Sequence, residues 1–110
     1  MMRMAMSEAA SGLLRALFTR AMVPRDRILL SELRSVDWQS LTFIGERHQI
    51  RLRIPEPDAD AIAQRLTAGI EEAEFEISGH LVADISLAEP PRHNTDGSIS
   101  VEIEALTIAA

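Results

Sequence analysis

Glu76, Ser78 and His80 stand at alternate positions, and Asp84 follows four residues after the histidine. Serine, imidazole and carboxylate are the types that serve as nucleophile, base and orienting acid. Their spacing argues against that use. On an extended chain, same-face neighbours lie about 6–7 Å apart, so Ser78 and His80 meet only with favourable rotamers. His80 and Asp84 would be about 13 Å apart at the same rise. The G-x-S-x-G elbow is missing too. An acid/base role for His80, helped by Asp84, Glu76 or a neighbouring strand, is the enzymatic reading of the chain. A solvated sheet face is the plainer reading, and the sequence favours it.

Two further histidines are His48 and His93. A metal site needs several converging ligands, and nothing in the spacing makes these three meet. No metal and no cofactor is therefore expected. Arg47, His48, Arg51 and Arg53 form a basic stretch in an acidic chain. It could take an anion or an acidic partner. Pairing across strands with Glu74, Glu76, Glu102 or Glu104 accounts for it more simply. The stretch from Pro90 to Ser98 offers Arg92, His93 and Asn94 on a loop, where binding groups tend to concentrate. The ligand-binding candidates are thus His80, Asp84, Arg51, Arg53 and His93.

These groups need a scaffold, and composition limits its kind. With 110 residues, nearly half of them apolar, the chain can bury one core and makes one domain. Only 4% of residues are aromatic, so aliphatic side chains must build that core. Small cores are often reinforced by a second copy, so a homodimer or another protein is the expected partner. The net charge of −6 repels polyphosphate, and no nucleic-acid partner is expected. Every cation is an arginine, a bias across the whole chain that marks no site. There is no cysteine, which excludes disulfide frameworks, thiolate metal sites and cysteine nucleophiles. No apolar run could span a bilayer. Met1 to Met6 leads into Ser7-Glu8 instead of an apolar stretch, so no secretory leader is expected and the cytoplasm is the default compartment.

Hydrophobic periodicity supplies the elements. Ala10, Leu13, Leu14, Leu17, Phe18, Ala21 and Met22 form one stripe, predicting a helix over Ser7–Met22 with Ser7 as its cap. Pro24 stops it, and Ile28, Leu29, Leu30 and Leu33 predict a second short helix over Arg25–Arg34. Trp38 to Ile44 reads as a strand, Gly45-Glu46 as a turn, and Gln49 to Ile54 as a strand of strict alternation. A helix follows Pro57, capped by Asp58 or Asp60 and running to about Ala73, with Gly69 inside it. Glu74 to Leu87 reads as one long strand with Phe75, Ile77, Leu81 and Ile85 inward and Val82 an odd apolar residue on the polar side. Ile99, Val101 and Ile103 predict the last strand, and the parity shift to Leu106 and Ile108 suggests a bulge or an edge with both faces covered. The expected fold is α+β: a two-layer sandwich with N-terminal helices in residues 1–35 packed on a ββαββ body in residues 36–110. Its four-stranded sheet is mainly antiparallel.

Overall fold

The computed structural model describes residues 6–110. The expectation drawn from Met1 to Met6 rests on residues 1–5, which lie outside those described.

Ser7 begins the first helix as its residue type suggests. Its hydroxyl accepts a hydrogen bond from the Ala10 N–H at 3.1 Å, and α1 runs Glu8–Ala21. The predicted stripe is the buried face: Ala10, Leu13, Leu14, Leu17, Phe18 and Ala21. Met22, at φ 60°, turns the chain out of the helix. Replacing Ser7 by alanine leaves one helix-start amide without its acceptor, and a loss of about 1 kcal/mol is expected. A urea titration measures it; an unchanged midpoint would show that the cap contributes nothing.

The second helix, α2, is Ala59–Thr67, with Ala59, Ile62, Ala63 and Leu66 buried. It is shorter than expected. Gly69 has φ 63° and leads into a 3-10 turn over Ile70–Glu72, so this glycine ends the helix instead of sitting inside it. The two helices exchange arginines at their C-terminal ends. Arg20 donates to the carbonyls of Leu66, at 3.0 Å, and Ala68, while Arg65 donates to the carbonyl of Ala21 at 2.9 Å. Each guanidinium thereby satisfies carbonyls that its neighbour's last turn leaves open.

The segment Arg25–Arg34 is not a helix. Only a 3-10 turn forms, over Arg25–Arg27, and strand β1 follows at Leu29–Gln39. The apolar run was too short to fix its period, and pairing with the neighbouring strand decided the outcome. The hairpin turn also lies elsewhere than predicted. Ser40 N–H bonds to the Phe43 carbonyl at 2.9 Å, so the turn is Ser40–Phe43. Gly45 belongs to β2, Ile44–Ile54. A side chain on Gly45 would run into the backbone of Thr107, so the glycine marks a close approach of two strands.

The predicted long strand is only half strand. Phe75 and Glu76 take no regular structure, Ile77 makes an isolated bridge to His80 around a turn at Ser78-Gly79 with Gly79 at φ 76°, and β3 is His80–Leu87. A register shift between Val82 and Asp84 changes the inward parity. Val82 packs against the core, and Leu81 is 60% exposed, reversing both expectations. A two-residue strand, β4 (Arg92–His93), and the long β5 (Ile99–Ala109) complete the fold.

The sheet is antiparallel with strand order β1-β2-β5-β3, and β4 pairs with β5. It has five strands where four were expected, the addition being β4. Ile50, Leu52, Ile54, Ile99, Val101 and Ile103 form a core with the apolar stripes of both helices. The architecture is therefore the α+β fold anticipated, with the N-terminal helix on one side of the sheet. No bulge explains the apolar residues near the end of β5. The strand runs straight, Ala105 and Thr107 keep the inward parity, and Leu106 and Ile108 fall on the opposite face.

Candidate functional site

Strand parity sorts the predicted site residues. Arg51 and Arg53 alternate with Ile50, Leu52 and Ile54, so they point to the face away from the helices. Arg51 is bonded to Glu102 at 2.8 Å and lies 3.3 Å from Glu32. Arg53 contacts Ser98 at 3.1 Å and pairs with Asp96. Arg51–Glu102 is one of the cross-strand pairs expected, but Glu32 was missed because its segment read as a helix. His93 approaches Asp60 at 3.1 Å on an exposed surface.

His80 and Asp84 are not brought together. His80 stands opposite Ala109, a position of inward parity, and its Nδ1 lies 3.0 Å from the Ser78 carbonyl. Asp84 lies past the register shift, opposite Leu106, which faces the other way. A shared proton between these two side chains has no support in that arrangement. Among the described residues, no three metal-ligating side chains converge.

One polar cluster was not predicted. His48 is 1% exposed and continues the inward parity of Ile50, Leu52 and Ile54. Its Nδ1 lies 2.7 Å from Ser35 Oγ, and its Nε2 lies 2.8 Å from Thr107 Oγ1. These side chains come from β1, β2 and β5, three strands in a row. Farther along the same face, Glu46 accepts a hydrogen bond from Ser7 Oγ at 2.7 Å. A neutral imidazole offers one donor and one acceptor, so one hydroxyl accepts from the ring and the other donates to it. The arrangement is complete without a ligand. Both ring nitrogens are occupied by hydroxyls, and among the described residues no carboxylate is hydrogen-bonded to the ring.

Burial holds the His48 pKa below its ordinary 6.5. Glu46 opposes that shift and His80 adds to it. The unfolded chain therefore takes up a proton at a pH where the folded chain resists it. Stability is complete above about pH 6.5 and falls as the pH drops through the lowered folded value. Urea midpoints at pH 7.5 and 5.5 should show a decline that His48→Gln flattens. An equal decline in the variant would assign the effect to other groups. At lower pH Asp96 acts the same way. Hydrogen bonds from the Ser98 hydroxyl and amide, helped by Arg53, hold its carboxyl at about 2.

The face away from the helices is divided along the strands. One end carries Glu32, Gln49, Arg51, Glu102 and Glu104. Toward the other end Trp38, Gly45, Ile108 and Leu81 form one row across the four long strands, and the next row is mixed: Val36, Arg47, Leu106 and Asp84, with Leu106 buried. Val36 is 51% exposed, and Trp38 is half-buried on this open face. At the same end the hairpin tip holds Leu41, Phe43 and Ile44, all exposed. Parity alone would have found part of this patch had Leu29–Gln39 been recognised as a strand. No helix among the described residues is long and apolar enough to cross a membrane. No family model matches the chain, and no curated protein or solved structure matches it.

Proposed function

We propose that this chain is a non-enzymatic interaction module that self-associates through its sheet. The apolar end of the helix-free face, from Val36 and Trp38 across Ile108 to Leu81, carries the reading. Exposed apolar side chains gathered at one end of a sheet, here edged by Arg47 and Asp84, mark contact sites more often than plain solvent-facing sheet. The acidic balance of the chain and the arginine–carboxylate pairing on the rest of that face argue against a nucleic-acid partner. The reading places the module in the cytoplasm, with no metal or cofactor required.

Light scattering between about 1 and 100 μM, the range of weak to moderate association, tests it. The mass should rise above 12.2 kDa with concentration. Val36→Ser, an exposed position of β1 on this face, should weaken that rise without changing the fold. A monomer throughout would sink the proposal.

A second reading, a small-molecule-binding role, is favoured by a groove of about 740 Å³ between α1 and Glu74–Ser78. Thermal-shift screening with amino acids, nucleotides and organic acids tests it, and the absence of any shift would remove it.

A further inference from the structure

The edge of the sheet is more specific than its face. Strand β1 is eleven residues long, and only one of its sides is paired. Unpaired edges of that length are templates for another strand unless charge, proline or a bulge guards them. The register shift between Leu30 and Glu32 guards one end of β1. The run Leu33–Gln39 pairs with β2 without interruption, has no proline, and carries one charge of each sign, Arg34 and Asp37, which an antiparallel second copy can accommodate.

The Ser40–Phe43 bond fixes which backbone groups are free. It makes Ser40–Phe43 a hydrogen-bonded pair, so alternate pairs back along β1 bond inward at Trp38, Val36 and Arg34. Leu33, Ser35, Asp37 and Gln39 therefore turn their N–H and C=O groups to the open edge. These four positions are symmetric about Val36.

We propose that two copies of the chain join β1 to β1, antiparallel, about a two-fold axis at Val36. The proposal rests on the self-association reading and names its partner and register. Charge sorts the alternatives. An axis at Arg34 would oppose two arginines, and an axis at Asp37 would oppose two aspartates. An axis at Ser35 would set Leu33 against the partner's Asp37. An axis at Leu33 would run the pairing into the irregular stretch at Ser31. The axis at Val36 uses the whole uninterrupted run. Val36 meets the partner's Val36 on the helix-free face, and Arg34 comes opposite the partner's Trp38, a cation beside an aromatic ring. On the inward face Ser35 comes opposite the partner's Asp37. That carboxylate is a suitable acceptor for the Ser35 hydroxyl, whose oxygen can accept from His48. Among the described residues Arg34 has no acidic side chain within 4 Å in the single chain. The apolar ends of the two open faces would merge across the axis.

The absence of cysteine makes the test clean. In Val36→Cys the two thiols face each other across a non-hydrogen-bonded pair, with Cα atoms about 4.5 Å apart, within disulfide range. Leu33→Cys is the control. Its partner position is six residues away along the opposing strand, about 20 Å. Under mild oxidation the first variant should move mostly to twice the 12.2 kDa chain mass on a non-reducing gel, and the second should not. Asp37→Pro supplies a second variant. Its lost N–H faces the open edge, so the single chain keeps its ladder while the dimer dissociates in light scattering. Circular dichroism of the reduced variants verifies folding. A wild-type dimer with no Val36→Cys cross-link overturns this register and leaves self-association standing. Equal cross-linking of both cysteine variants also overturns it. A wild-type monomer at about 100 μM overturns both proposals.

Discussion

Replacing Gly45 by alanine should cost about 3–5 kcal/mol, the sum of an overpacked contact and broken ladder bonds. The cause is the distance between β2 and β5. An added Cβ would overlap the Thr107 carbonyl oxygen and lie 3.1 Å from its carbon and 3.2 Å from the Ile108 Cα. All three are backbone atoms of a paired strand, so no rotamer change relieves the overlap. The strands must separate at Gly45–Ile108, and the neighbouring pair Glu46–Thr107 is disturbed with it. Small domains hold about 5–15 kcal/mol in total, so the variant should approach the edge of stability. Urea unfolding at neutral pH measures the change. A loss below about 1 kcal/mol would show that the strands can part there without cost.

Removing the His48 ring should be as damaging for a different reason. His48→Ala leaves a cavity and strands the fully buried Thr107 hydroxyl, together with that of Ser35. A buried polar group without its partner costs about 1–3 kcal/mol, and the cavity adds a similar amount, so a loss of about 3–4 kcal/mol is expected. The instructive comparison is Ser35→Ala, His48→Leu and Thr107→Val together. That triple variant removes every polar partner at once and keeps most of the volume. It should recover most of the stability, and its pH dependence should be flatter than the parent's. A triple variant as unstable as His48→Ala would mean that packing alone sets the cost.

The helical stripe of α1 and the alternation over Gln49–Ile54 were legible because one face of each meets the core and the other meets water. The register of β1 was not. Its residues Leu29, Leu30 and Val36 are exposed, so no burial imprinted a period on them, and a bulge breaks what remains. Leu81 and Val82 misled for a related reason: the bulge after Val82 exchanges the two faces, and no residue type marks it. Gly45 reads as a turn because glycine favours turns. Here it serves a close strand approach, which only the partner strand explains. The His48 cluster was half legible. Extending the Ile50–Ile54 alternation back by one step puts His48 inside, but its partners Ser35 and Thr107 come from strands whose pairing the sequence does not encode locally.

The position of β5 between β2 and β3 also governs when the chain can fold. Each β2 residue from Gly45 to Ile54 finds its β5 partner more than forty positions later. As the polypeptide emerges from synthesis, the β1–β2 hairpin must wait with Ile50, Leu52 and Ile54 turned toward helices and no strand yet on its inner side. Closing such distant pairs makes assembly slow, and the waiting hairpin is the species most exposed to mispairing with other nascent chains.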